Sequence, residues 1–419
     1  MKVLVLGAGV VGLANAYYLW KDGHEVVVVD RQSGPGQETS YGNAGGLCPS
    51  FAGPWAAPGM LTKVLGMSLQ ADSPIRFSLI PNWQRMRWVL QWMRNCNPEK
   101  FRINKLRMQR VAHYSYACLK ELSAEAPITD FDFCQGGVLQ IFRTPSEFDV
   151  GRLSAKALQE YGVTCQLLST DEALAVEPAL SKTRVPITGA LHLPLDASGD
   201  SFKFANQLAA FLEARGVKFK YNTPVSAILT EGDGVSAVMT AEGPLTASAY
   251  VVALGNYAPL LVAPLDIRLP VYPLKGYSIT MPVRDRDATT QTAIMDEHNK
   301  VMISRLGNRI RAGGMAELTG YSTDLKLDRR ALLIKVVEEL FPQGLDFDDV
   351  AFWAGLRPMT PDGPPILGKT RWRNLLLNCG HGSNGWTQSC GTGKIVADML
   401  HGRQPAIDTE GLTLARFGG

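Results

Sequence analysis

The chain has 419 residues, 46% hydrophobic and 19% charged, with a formal net charge of +3. This length suits two or three domain-sized units of an ordinary globular protein. The near-balanced charge, with no run of lysine or arginine, excludes an electrostatic case for nucleic acid. No stretch approaches the roughly 18 apolar residues of a membrane-crossing helix, and the short apolar start reads as a strand, not a signal sequence. The seven cysteines are scattered without a C-x-x-C pair, which predicts reduced thiols, no metal centre and a cytoplasmic setting.

Residues 3–6 are an unbroken apolar run, short enough for a buried parallel strand. Gly7, Gly9 and Gly12 follow at the G-x-G-x-x-G spacing. The first permits a tight turn, the second lets a pyrophosphate approach the backbone, and the third lets helix and strand pack closely. A helix opening at Val10 and Val11 offers its N–H groups and dipole to phosphates. The strand 26–29 then ends at Asp30, placed to accept hydrogen bonds from ribose hydroxyls, with Arg31 and Gln32 beside it. No third strand–helix repeat follows. The irregular run RQSGPGQETSYGNAGGLCPS instead suits a backbone wrapping an elongated ligand, through Thr39, Ser40, Asn43, Ala44, Gly45, Gly46 and Leu47.

The region 61–125 reads as helical and arginine-rich. Within it RMRWVLQWMRN sets Trp88 and Trp92 four apart, with Trp83 upstream. This segment reads either as a helix packing its aromatic face inward or as a peripheral membrane contact through Trp83, Trp88 and Trp92. A strand in GGVLQIFRT, a helix in PSEFDVGRLSAKALQEYG and a short helix N-capped by Thr170 come next. A helix–strand pair then leads to Val225, and a further strand to Ala253, Leu254 and Gly255, expected on the adenosine and phosphate sides of the ligand. Alternating patterns in 268–316 predict antiparallel strands that floor a substrate cavity. Near the end, CGHGSNGWTQSCGTG is a second glycine-rich turn opening a helix, through Gly382, Ser383, Asn384, Gly385, Trp386 and Thr387. Two such turns far apart in sequence can hold the two ends of one long cofactor. FAD has that length.

The stretches LGAGVVGLANAYYL, EVVVVDRQ, ETSYGNAGG, PWAAPG, VYPLKGYSIT, NRIRAGGMAE, FWAGLRPMTPDGPPILG and GHGSNGWTQSCGTG carry a family resemblance. The chain resembles the D-amino-acid oxidase superfamily of flavoenzymes, in the branch of small-subunit-type D-amino acid dehydrogenases. The resemblance implies an α/β protein (α+β overall), with a Rossmann-like FAD-binding domain interleaved with an antiparallel-sheet substrate domain. The expected boundaries are 1–60, 155–265 and 345–419 for the FAD domain, and 61–154 and 266–344 for the substrate domain. It implies non-covalent FAD, since no cysteine stands near GLRPMTPDG.

The implied reaction is oxidative deamination of D-amino acids by hydride transfer to flavin N5, with a quinone or other acceptor for the electrons. An oxidase of glycine, sarcosine or a cyclic imino acid is the second reading, and a non-catalytic flavin-binding partner the third. Arg357 matches the arginine that clamps the substrate carboxylate, a task suited to a planar, bidentate cation. Tyr277 is a further candidate through its hydroxyl, and His381 lies in the second glycine turn. Tyr272, Lys275, Arg305 and Arg309 are weaker candidates. Relative to the branch, Phe51 replaces a tyrosine, Asp296-Glu297-His298-Asn299-Lys300 replaces DETYK, and Ser383-Asn384 replaces Thr-Leu. These departures touch the expected cavity, so an acidic, cyclic or N-substituted substrate fits as well as a small neutral one.

Overall fold

The computed structural model describes residues 1–68, 75–77 and 82–418. The apolar run at the start becomes the strand Lys2–Leu6, central in a sheet that its length and composition suit. The strand order is Ile366–Lys369, Leu375–Cys379, Ala249–Val252, Lys2–Leu6, Glu25–Val29, Lys218–Lys220. All neighbours are parallel except the first pair. Alternate residues serve opposite faces. Val3, Val5, Val26 and Val28 pack under the helices Val10–Lys21, Ser201–Glu213 and Gly385–Leu400. Leu4, Leu6, Val27 and Val29 pack under a three-stranded hairpin sheet and the short helix Ala258–Val262.

Small residues let the helices close up. A Cβ on Gly393 would lie 2.8 Å from the Ala14 backbone, and one on Gly391 2.7 Å from the Ser115 backbone. The last helix of the chain is therefore wedged between the first helix and Pro98–Glu125.

The second sheet runs in the order Ala351–Met359, Tyr272–Pro282, Arg309–Leu318, Val301–Leu306, Ala293–Asp296, Val138–Phe142, Gly189–Leu193, Gln166–Leu168, with Ile75–Phe77 added beside Arg309–Leu318. It is antiparallel apart from two parallel contacts. The helix Leu327–Leu340 covers one face, and the other borders a cavity.

Several expectations are corrected here. The strands Gln166–Leu168, Gly189–Leu193 and Ala351–Met359 belong to the second sheet, although boundaries at 155 and 345 assigned them to the cofactor domain. The helix Pro98–Glu125, assigned to the substrate domain, packs Val111, Leu119 and Leu122 into the cofactor-domain core. The short helix Thr170–Val176 is capped by Ser169, not Thr170, because Glu172 completes a reciprocal capping box with Ser169. The helical stretch 61–125 divides into Met60–Ser68, Trp83–Asn95 and Pro98–Glu125. Asn82 and Asn97 cap the latter two, and Pro98 bars continuation from the helix before.

Behind the second sheet, Glu317 is fully buried and binds three donors. Arg329 Nε lies at 2.8 Å, the Tyr277 hydroxyl at 2.9 Å and Lys326 Nζ at 3.2 Å. Burial works to raise this carboxyl, but the hydrogen bonds from Arg329 and Tyr277 outweigh it and hold it below the ordinary range. Glu317→Gln removes the buried anion that Arg329, Tyr277 and Lys326 share, so it is expected to destabilise by about 3–5 kcal/mol. A group depressed on folding stabilises above its unfolded value, about 4.3, and loses that contribution as pH falls through the folded value. Thermal denaturation of both proteins at pH 7 and in acid checks this: the gap should narrow in acid, and a constant gap would refute the assignment.

Candidate functional site

A cavity of about 1230 Å³ opens between the two sheets. It exceeds the roughly 300–1,000 Å³ of ordinary ligand pockets, so it has room for a long cofactor and a substrate together. At one end, Gly7 adopts a φ of +110°, and a Cβ there would sit 2.6 Å from the Ala253 carbonyl oxygen. A Cβ on Gly12 would sit 1.8 Å from the Gly7 oxygen. The turn therefore closes only with glycine at these positions. Gly7, Gly9, Val10 and Val11 border the cavity, while Gly12 stands behind them.

Asp30, Arg31 and Gln32 form the next part of the wall. The Asp30 carboxylate accepts from Ala8 N at 2.6 Å and Gln32 N at 2.8 Å, which fixes its position at the strand end. Burial raises its carboxyl above the ordinary range against the pull of those two amides. Arg31 pairs with Glu38 at 2.5 Å and lies 3.7 Å from the centre of the Tyr257 ring.

Thr39, Ser40, Asn43, Ala44 and Gly46 continue the wall. Ser40 Oγ accepts from Val10 N at 3.2 Å, joining this loop to the first helix. Gly45 and Leu47 lie outside the cavity lining and support it. Val225, Ala253, Leu254 and Gly255 border the same end. At the other side stand Gly382, Ser383, Asn384, Gly385, Trp386 and Thr387. Thr387 Oγ accepts from Cys48 N at 3.2 Å, so the second glycine turn is tied to the loop that follows the first.

The second sheet supplies the floor. Paired residues share a face, so Leu274, Gly276, Gly355 and Arg357 point the same way. Opposite Gly276 the neighbouring strand bulges. Tyr277 pairs with Gly314 and Lys275 with Glu317, leaving Met315 and Ala316 to share one place. Met315 takes a left-handed φ of 63°, a cost that turns its carbonyl toward Arg357. Arg357 donates to Met315 O at 2.7 Å and Gly314 O at 3.3 Å. A Cβ on Gly276 would lie 2.3 Å from the guanidinium, so the glycine makes its berth. Trp55 lies 5.6 Å from it.

Among the described residues Arg357 has no carboxylate partner, and burial alone pulls it down to about 10. It is a cation held by neutral carbonyls and open to the cavity.

His381 is buried, hydrogen-bonded to Thr392 at 3.1 Å, and pushed by burial down to about 3. It borders the cavity as a neutral ring. Tyr277, expected to offer its hydroxyl to substrate, borders the cavity, but the hydroxyl is turned to Glu317 behind the sheet. Alternation explains this: Tyr277 is one residue from Gly276, so its side chain takes the opposite face. Lys275 lies on that face too, with its amine on the Asp324 carbonyl.

Arg309 is committed to Asp132 and Asp200, Arg305 to the carbonyls of Gly307 and Arg286, and the Tyr272 hydroxyl accepts from Gly320 N. None of these three lines the cavity. Of the departures from the branch, Phe51, Ser383 and Asn384 line it, whereas His298 and Asn299 face Glu147 and Asp296 outside.

Two lining residues were not singled out from the sequence. Asn378 is 1% exposed with neither side-chain amide atom hydrogen-bonded, a polar residue interrupting the apolar strand before the second glycine turn. Lys105 comes from the helix Pro98–Glu125. An unsatisfied buried amide, a turn closed to any side chain and a free helix N-terminus together fit FAD: Gly7–Gly12 for the pyrophosphate, Asp30 for the ribose and the 382–387 turn for the far end.

A family model described as FAD dependent oxidoreductase matches residues 2–399. The chain is 47% identical over 419 residues to a D-amino acid dehydrogenase of Granulibacter bethesdensis, covering 100% of both chains. It is 46% identical over 420 residues to a D-amino acid dehydrogenase of Bradyrhizobium diazoefficiens, covering 100% of this chain and 99% of that one. The solved glycine oxidase from Geobacillus kaustophilus superposes with a TM-score of 0.76 at 25% identity, covering 99% of each chain.

Asp30→Ala removes the acceptor expected to face ribose. It is expected to weaken FAD binding by about 1–3 kcal/mol, the cost of a lost charge-assisted hydrogen bond. Titration of apoprotein with FAD measures this, and an unchanged affinity would refute the ribose assignment.

Proposed function

Because the chain belongs to the family of FAD-dependent oxidoreductases, we propose that it deaminates D-amino acids oxidatively to 2-oxo acids and ammonia and passes the electrons to a separate acceptor. The observation that carries this reading is Arg357. A guanidinium without a counter-charge, oriented by the Met315 and Gly314 carbonyls and facing the cofactor cavity, is a receptor for one carboxylate. FAD, when bound, would supply the sink for the two electrons removed from the substrate Cα.

The protein's part is positional. Arg357 fixes the carboxylate and hence the direction of the Cα–H bond. The walls of Trp55, Leu274 and Trp353 keep water from the clamp and strengthen its attraction for an anion. His381, neutral and weakly basic, supports the opening of the last helix.

The acceptor is a quinone or a comparable apolar carrier, reached from a membrane surface on the cytoplasmic side. Four large apolar residues of the helix Trp83–Asn95 stand in solvent: Trp83 76%, Met86 48%, Leu90 53% and Met93 42% exposed. Their spacing of three, four and three places them on one stripe. Exposed Arg87, Arg94 and Lys100 accompany it, as attraction to anionic lipid requires. Trp88 and Trp92 instead pack inward beside Tyr272 and Leu274. Of the three tryptophans weighed as a membrane contact, Trp83 alone is left in solvent to meet lipid. The cavity reaches this helix through Trp88, Val89, Trp92 and Met93, and seven unpaired cysteines support a reducing compartment.

Arg357→Ala should keep FAD but lose on the order of 10²–10³ in kcat/KM, the rate equivalent of the roughly 3–5 kcal/mol cost of an unanswered buried charge. Arg357→Lys should also be poor, since an ammonium cannot form two parallel hydrogen bonds. D-Alaninamide is the control: wild type should discriminate strongly against it and the alanine variant much less. Equal discrimination in both would move the clamp away from Arg357. Dye reduction without hydrogen peroxide separates a dehydrogenase from an oxidase. For the membrane, Met86→Glu with Leu90→Glu should abolish most co-sedimentation with vesicles of anionic lipid while dye-linked turnover persists; unchanged sedimentation would refute the stripe.

A further inference from the structure

Lys105 is a second uncompensated cation in the cavity. Its amine forms no ion pair among the described residues; the Phe101 ring lies 5.7 Å away, and the Cys165 thiol is also close enough to act on its charge. Burial lowers its amine from the ordinary lysine value, as for a charge that lacks an answering anion. Its stem runs beside Gly53, where an added Cβ would lie 3.7 Å from Lys105 Cγ. Two residues on, Trp55 stands 5.6 Å from Arg357. The two cations thus flank one short segment, 53–55.

The same cavity has a mostly apolar floor with one polar residue, Gln140, set in it. Leu191, Gln140, Met295 and Met302 lie side by side on neighbouring strands. Gln140 donates to Glu297 at 2.7 Å, and Lys300 pairs with the same carboxylate. Glu297 is therefore already shared by two donors, and no ion pair joins it to Lys105. Phe51, bordering the cavity next to this segment, offers no hydroxyl.

Oxidation at Cα needs one cation, for one carboxylate. A second cation beyond it matches a second anionic group on the same substrate. We propose that Lys105 is a specificity-determining residue that receives the side-chain carboxylate of acidic D-amino acids, so that dicarboxylic D-amino acids are the preferred substrates. This inference rests on the D-amino acid reading of the Arg357 site.

The test uses flavin-loaded enzyme and reads the ratio of kcat/KM for D-glutamate to that for D-norvaline, a neutral amino acid of similar length. Wild type should favour D-glutamate. Lys105→Met should lower the ratio at least tenfold, and Lys105→Arg should restore most of it. A ratio unmoved by Lys105→Met, or wild type that turns over D-norvaline but not D-glutamate or D-aspartate, overturns the proposal and leaves the dehydrogenase reading intact. A flavin bleached by no D-amino acid at all overturns that reading instead. Should Lys105→Met fail to hold flavin, wild type alone decides: glutarate should perturb the flavin spectrum at concentrations at least tenfold lower than butyrate, and equal affinities overturn the proposal.

Discussion

A guanidinium removed from water without a counter-anion is costly, and much of the second sheet is arranged around keeping one there. Arg357 stays because two carbonyl oxygens point at it, from Gly314 and Met315. Those oxygens point that way because the strand bulges, and the bulge persists because Met315 tolerates a left-handed backbone. The space exists because Gly276 has no side chain. Each element exacts a stability cost that surrounding packing must offset, as strained functional sites commonly do. The result is a cation poised for an anion the protein itself does not supply.

The pleat then separates two kinds of chemistry. On the cavity face, Gly276, Gly313 and Gly355 give a low, smooth surface between Arg357 and the loop that carries Ala44; a Cβ at Gly313 would lie 2.9 Å from Ala44. On the rear face, Tyr277, Lys275 and Glu317 knit the same strands to Leu327–Leu340 through a closed polar network. One residue along a strand changes a group from ligand contact to foundation. The rear network thereby holds the bulged strand whose carbonyls orient Arg357.

This division also explains what the amino-acid order disclosed and what it hid. The first strand–turn–helix unit was legible because its geometry is local: glycine spacing, helix length and Asp30 all act within some thirty residues. Arg357 was legible through a motif whose proline-rich setting recurs in the branch. Tyr277 sat in an equally characteristic motif, yet a motif names a residue without naming its face, and the bulge beside it shifts register invisibly. Arg309 stood only as a weaker candidate, and its partners, Asp132 and Asp200, could not be read beside it because they are more than 100 residues away in sequence. Lys105 and Asn378 matter only through what surrounds them in space. The domain boundaries failed for a related reason: short strands such as Gln166–Leu168 carry too little pattern to declare which sheet they join.

The wedged last helix bears on how the molecule is made. Val10–Lys21 leaves the ribosome well before the surface that covers it, Gly385–Leu400, is synthesised, and two strands of the same sheet, Ile366–Lys369 and Leu375–Cys379, come late as well. At translation rates of roughly 5–20 residues per second, the first helix waits on the order of 20–80 s with its apolar side uncovered. The nascent chain thus presents a standing demand on chaperones. The glycine turn that opens Val10–Lys21 therefore gains its packing partner only after the chain has been extended by about 360 further residues.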